Sequence, residues 1–353
     1  MDGKFHYHVT YTAAVMAGFS PEDGEIIARA ARYVDECEGV TVQAVTILIW
    51  DNLLDTFSGE TQLRTILNIW PVFHFLPGDY TAIESCVDPQ LRNNSRTRLK
   101  TAPKLICGTE SALVAEMVEE TKRRYQDGQP ECDREKKLQR IGISMHVLAD
   151  TFAHQDFAGI PLACINAVDE VKEAKQSGDF EKKWYLPFEY SAALSSESFG
   201  YLGHGRIGHL VDQPGACFAY QAAWKNPTKD NWIVRYNPFE FYCAYCQMVE
   251  AMEYINGKRS GFSRYVNRAA LLNPRLDTWG TVKRFLEALE SARTDADLPE
   301  PWYRVIGAVK EPQEYRPYRK ENEQNSIDGF RDEVEEHRLF VQTRCTPLKE
   351  YME

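Results

Sequence analysis

In GISMHVLADTFAHQDFAG, residues 142–159, His146, Asp150 and His154 stand at strict four-residue intervals. A helix turns 100° per residue, so positions four apart drift by only about 40° and stay on one stripe. The three side chains therefore look the same way. Each can bind a divalent cation, and a His/Asp mixture suits zinc, with manganese or iron as alternatives. Ile143, Val147, Phe152 and Phe157 flank the stripe and mark the helix as largely buried. An unpaired aspartate there would cost several kcal/mol of desolvation, so Asp150 needs partners. They are either metal ions or the two histidines themselves, hydrogen-bonded to Asp150 in a polar core network. This helix alone leaves both readings open.

The helical pattern continues along the chain. Ser20, Pro21 and acidic first-turn residues open a helix that runs apolar through Ile26, Ile27, Ala30, Ala31 and Val34, which predicts a helix over 21–37. Similar spacing predicts helices near 9–18, 109–126, 134–156, 164–177, 189–203, 238–256, 277–292 and 327–342. The expected fold class is all-α, a multi-helix bundle with long loop insertions. VTVQAVTILIW, from residue 40, reads equally as a strand or a buried helix. Pro71, Pro77, Gly78, Pro89 and Pro103 break the region 70–105 into loops, within which CVDPQLRNNSRTRLK reads as an exposed, locally basic connection. With 353 residues, the chain is expected to form one helical metal-binding domain over 1–295, then a wrapping segment and final helix over 296–353.

A net charge of −11 argues against a broad basic surface for duplex nucleic acid, although bound divalent cations would reverse the sign locally and keep phosphate substrates open. The start, MDGKFHYHVTYTAAV, has no sustained apolar run, and no later stretch approaches the roughly 18–20 apolar residues of a membrane span. A soluble, cytoplasmic protein without a transmembrane segment is expected. Nine cysteines without a repeating interval make no disulfide framework, and the lone pair Cys243 and Cys246 reads as structural.

The remaining histidines supply further candidates. FHYH places His6 and His8 at the opening of the first helix, and WPVFHFLPG holds His74 between phenylalanines, as a core residue or a ligand. GYLGHGRIGHLVDQPG carries His204 and His209 among glycines, with Asp212 three residues after His209. Asp35 ends the second helix on a face with Ala28 and Ala31, small enough to let another helix approach. His337, in RDEVEEHRLF, reads as solvated on a charged helix. His-Glu-x-x-His, paired Glu-x-x-His and adjacent His-Asp motifs are missing, as are a phosphate-binding Gly-rich loop and a nucleophile elbow.

HYHVTYTAAVMAGFSPEDGEIIARAARYVDE, WPVFHFLPG, HVLADTFAHQDFAG and GHGRIGHLVDQPG, in this order, together with FRDEVEEHRLFVQ near the end, resemble an uncharacterised bacterial family. That family is similar, more distantly, to the zinc-dependent phospholipase C and single-strand nuclease superfamily, all-helical phosphodiester hydrolases with three zinc ions. The resemblance implies a phospholipase C-like bundle and a ligand order matched by His6 or His8, Asp35, His74, His146, Asp150, His154, and His204 or His209 with Asp212. It implies one to three zinc ions, with Asp150 bridging two of them and Asp35 acting as both ligand and base. The superfamily's N-terminal amine ligand is expected to be absent here, or replaced by His6 or His8. Arg206, between the late histidines, is the candidate to hold phosphate. A metal-dependent hydrolase of a phosphoester or phosphodiester is the leading expectation, with small-molecule, lipid and nucleic-acid substrates all open. The alternative is a non-catalytic helical binding or structural protein with a metal-stapled or metal-free core.

Overall fold

A computed structural model describes residues 1–37, 59–78, 102–127, 134–174, 184–185, 202–222, 224, 232–271 and 313–352. A π-helical turn, Phe5–Val9, leads into α1 (Thr10–Met16), and α2 spans Pro21–Tyr33. The Ser20 hydroxyl caps α2 by accepting the Asp23 N–H at 3.1 Å, and Pro21 follows where a missing N–H costs nothing. α2 stops at Tyr33, short of the expected 37, so Asp35 lies in the turn beyond it. α3 (Gly59–Ile69) passes directly into a second π-helical turn, Trp70–His74, where the prolines had pointed to a loop. Pro71, the second residue of that turn, has no N–H to donate back to α3.

α4 (Ala112–Gln126) and α5 (Arg134–Ala153) follow, then α6 (Ala163–Asn166). Every residue of α5 from Leu138 to Ala153 is buried, so the helix bearing His146 and Asp150 is the axis of the bundle. Beyond it lie α7 (Asn237–Ile255), α8 (Arg268–Leu271), α9 (Gln324–Arg344) and α10 (Thr346–Met352). α2, α4, α7 and α9 all pack against α5. Closest is α2. A Cβ added at Gly142 would lie 2.3 Å from the Ile27 carbonyl oxygen and 2.7 Å from Ala30 Cβ, so only glycine lets α5 come this near to α2.

The protein is mostly helical but not all-α. β1 (Val168–Ala174), β2 (Trp184–Tyr185), β3 (Cys217–Ala222) and β4 (Trp232–Tyr236) form an antiparallel sheet in the order β2-β1-β3-β4. The helix expected over 164–177 is thereby corrected to the short α6 and β1. VDEVKEA has helical composition, but it is zipped along β3 with Val171 opposite Tyr220 and Glu173 opposite Phe218, and pairing outweighs weak local preference. The expected helix at 277–292, all but the last two residues of that at 189–203, the stretch from residue 40 and the whole of 79–101 lie outside the described residues. Residues 313–323 run beside α2, where Arg29 donates to the Arg316 and Pro317 carbonyls and pairs with Glu323. Among the described residues, no helix is long and apolar enough to cross a membrane.

Candidate metal centre

The centre of the site is Asp150, 1% exposed and used from both sides. Its Oδ1 lies 2.8 Å from the amine of Met1 and 3.2 Å from His6 Nε2; its Oδ2 lies 3.0 Å from His74 Nδ1 and 3.2 Å from His146 Nε2. Around it, ligand atoms converge in three groups within 4.8 Å: His6, His146 and Asp150; Asp35, His74 and His146; and His154, His204 and Asp212.

The imidazoles are oriented by main-chain carbonyls. His146 Nδ1 lies 2.9 Å from the Ala31 oxygen, His154 Nδ1 2.6 Å from the His74 oxygen, and His204 Nδ1 2.8 Å from the Gly208 oxygen. A carbonyl only accepts, so each Nδ1 carries the hydrogen and donates it. Each Nε2 then faces a carboxylate: that of His146 faces Asp150, and those of His154 and His204 face Asp212 at 3.0 and 3.6 Å. This is the arrangement in which metal-ligating histidines are held, the second ring nitrogen fixing tautomer and orientation. An Nε2 so placed donates to the carboxylate when it carries a hydrogen and can share a cation with it when it does not.

Ring packing completes the cradle. His6 stacks on His146 at 3.9 Å, and Phe75 stacks on His154 at 4.5 Å, which in turn stacks on His204 at 4.9 Å. Gly203, at φ +54°, precedes His204; a Cβ there would meet Phe75 Cζ at 2.4 Å, so this glycine supplies both the conformation and the space. The C-terminal end of α5 is fastened by Arg235, 3% exposed, which donates to the carbonyls of Phe152, Ala153 and Gln155 at 2.7, 3.1 and 3.3 Å. His154 hangs from that end.

Electrostatically the site holds its carboxylates ionised. Burial opposes the charge on Asp150, but the Met1 amine with His154, His146 and His6 outweighs it and keeps the carboxyl well below the usual range. Asp212 is held down in the same way, against burial, by the amine and His204. Asp35 is lowered by His146, His6 and His74, again against burial. Burial pushes His6 down to about 3 and His204 to about 4, so both are neutral and ready to act as donors of a lone pair.

The structure brings together His6, Asp35, His74, His146, Asp150, His154, His204 and Asp212. It separates His8, half-buried two residues on, which belongs to none of the three groups among the described residues. His209 stands at the rim, its side chain 81% exposed, with Nδ1 3.7 Å from Asp212. Arg206 is not among the described residues lining the cleft. The amine of Met1, not expected in the cluster, lies 2.8 Å from Asp150, 3.0 Å from Asp212 and 3.3 Å from His154 Nε2. The π-helical turn at residues 5–9 carries the chain start past Asp150 and, on the next turn, His6. His337 is also corrected, from solvated to wholly buried, because Phe330, Val334, His337 and Val341 form a buried stripe on α9. That spacing of 4, 3 and 4 was present in the sequence, masked by the acidic residues between. Cys243 and Cys246 are free thiols on α7.

Above the cluster lies a cleft of about 600 Å³, walled by Met1, Trp70, Phe75 and Pro214 and floored by the histidines and aspartates. A mostly helical chain, with five histidines, three aspartates and an amine gathered at and beneath one cleft, defines a class: helical proteins with a candidate multi-ligand cation centre. This chain belongs to the family of unknown function DUF6765, whose model matches residues 1–345. No curated protein and no solved structure matches it. None of these comparisons links the chain to the zinc-dependent phospholipase C and nuclease superfamily.

Proposed function

We propose that the chain is a metal-dependent hydrolase of phosphoesters or phosphodiesters, with zinc as the metal its donors suit best. The observation that carries this reading is the common orientation of His146, His154 and His204, each held through Nδ1 by a main-chain carbonyl with Nε2 aimed at an ionised carboxylate, Asp150 or Asp212. Nitrogen and carboxylate donors of this kind fit zinc, with manganese or iron as alternatives. When bound, such ions lower the pKa of water, hold phosphate oxygens and stabilise the leaving oxygen.

The chain's own residues have distinct parts in this reading. Asp150, with different partners on each oxygen, suits a bridge between two ions. His154, His204 and Asp212 form a separate donor set beside the Met1 amine. Asp35 is the least buried of the carboxylates at 24% exposure and is held ionised, so it can take a proton from a water molecule in the cleft. No Lys or Arg is among the described lining residues, and the four lining aspartates alone would repel a phosphate. Cations in the cluster reverse that sign, and substrate binding in this reading depends on them.

A second reading has its own observation. The Met1 amine, pushed up to about 11 by Asp150, Asp212 and Asp35 against the effect of burial, is already a cation between two aspartates. A polar core closed by that amine would need no metal and catalyse nothing. Metal content per chain, with hydrolysis of bis(p-nitrophenyl) phosphate and p-nitrophenyl phosphate, separates the two. Two or three zinc equivalents and turnover, both lost in Asp150→Asn, support the hydrolase. A folded, metal-free, inactive wild type supports the closed core.

A further inference from the structure

Away from the cleft, the most deeply buried charged group is Arg140, 1% exposed on α5 with Nη1 3.2 Å from the Glu333 carbonyl of α9. One turn further along α9 stands His337, 0% exposed, with Nε2 3.1 Å from the carbonyl oxygen of Val72. Burial pushes the imidazole down to about 3, so it is neutral and has one hydrogen to place. A carbonyl accepts only, so that hydrogen is on Nε2 and is donated to Val72.

Val72 lies inside the π-helical turn Trp70–His74, whose i to i+5 pattern is closed by the Phe75 N–H donating to the Trp70 carbonyl at 2.7 Å. The residue five beyond Val72 is Pro77, which has no N–H. The turn therefore cannot satisfy the Val72 carbonyl by continuing its own pattern, and a donor must come from elsewhere. His337 is that donor. Its ring also packs on Phe73 with centroids 5.2 Å apart, so α9 grips both residues that immediately precede His74. His74 in turn presents Nδ1 to Asp150 and its carbonyl to His154.

We propose that His337 is a positioning residue of the candidate metal centre, fixing the π-helical turn that carries His74 through the bond from Nε2–H to the Val72 carbonyl. This rests on the metal-centre reading above. The test uses the full chain with two substitutions, His337→Phe, which keeps a ring but removes the donor, and His337→Gln, whose amide N–H replaces it. Hydrogen exchange of residues 66–76 is measured in metal-free protein, and zinc affinity by competition with a chelating dye. Exchange over α4, residues 112–126, reports whether each variant is folded.

In His337→Phe, residues 66–76 are expected to exchange about tenfold faster, the scale of one lost hydrogen bond, while α4 is unchanged. Zinc affinity is expected to fall about 10- to 100-fold, the usual effect of losing an orienting partner. His337→Gln is expected to restore both to within about threefold of wild type on the same scale. Wild-type exchange and affinity in His337→Phe overturn the assignment, and so does a Gln variant indistinguishable from Phe, since packing rather than the donor would then be responsible. A wild type that takes up no zinc overturns the metal-centre reading and the role of His337 with it. One that binds zinc as tightly as His337→Phe overturns the positioning role alone.

Discussion

His74 Nδ1 lies 3.0 Å from Asp150 Oδ2, joining a π-helical turn to the central helix of the bundle at the most buried carboxylate of the site. Removing that carboxylate leaves the Met1 amine without its nearest counter-charge. Asp150→Asn is expected to lose zinc in elemental analysis and to lower the unfolding free energy of the metal-free protein by about 3–5 kcal/mol, the scale for breaking a buried pair. Retained zinc at wild-type stoichiometry would count against the central role of Asp150.

Gly142 controls how close α5 comes to α2, and with it the bond from His146 to the Ala31 carbonyl. Gly142→Ala is expected to cost about 1–3 kcal/mol by overpacking and to weaken zinc binding. The control is Gly261→Ala, where nothing lies within 4 Å and stability should change by no more than about 0.5 kcal/mol. Urea denaturation of both variants, followed by zinc titration, makes the comparison.

Metal-free protein should lose stability on mild acidification. His6 and His337 are lowered from 6.5 to about 3 and His204 to about 4, all by burial first. In the interval below 6.5 the unfolded chain binds protons at these positions that the folded chain refuses, so the unfolding free energy falls with pH until the folded values are reached. Each histidine contributes up to about 1.4 kcal/mol per pH unit in that window. His337→Phe removes one of these contributions, and urea midpoints between pH 7 and pH 4 should then fall less steeply than in wild type.

Zinc that binds only the folded chain should stabilise it by mass action, by about 2.7 kcal/mol at a hundredfold excess over the dissociation constant. A melting temperature that rises with zinc and returns with a chelator is the expected result. No dependence on either would favour the closed polar core.

Arg235 holds three carbonyls at the end of α5. Arg235→Met is expected to destabilise by about 2–3 kcal/mol, because the buried carbonyls lose their donor. Local exchange should rise first around Phe152–Gln155.

The His146–Asp150–His154 stripe, on α5 and just beyond its end, was legible because three polar residues in an otherwise apolar run obey one helical period. Asp35 was legible through Ala31, which does meet α5, whereas Ala28 packs instead with Tyr7 and Tyr11. Other features depended on distant partners. Nothing local in VDEVKEA announces a strand, because β3 supplies its pairing from some fifty residues on. The placement of the Met1 amine could not be read from spacing at all, since it depends on Asp212 and Asp150 being brought together from separate segments. The prolines at Pro71 and Pro77 pointed to a loop because proline usually breaks helices. Here Pro71 lies inside a wider turn, and Pro77 leaves the Val72 carbonyl to be met by His337 from α9.

Both π-helical turns carry a candidate ligand: His6 in Phe5–Val9 and His74 in Trp70–His74. A π-helical turn amounts to one residue inserted into an α-helix, and each residue corresponds to 100° of rotation about the axis. The aim of these two imidazoles is therefore set by the counting of the backbone as much as by the side chains themselves. Deleting a single residue from either turn would restore α-helical pitch and swing the imidazole about a quarter of the way round its helix. Point substitutions in these segments should thus be tolerated where one-residue deletions are not.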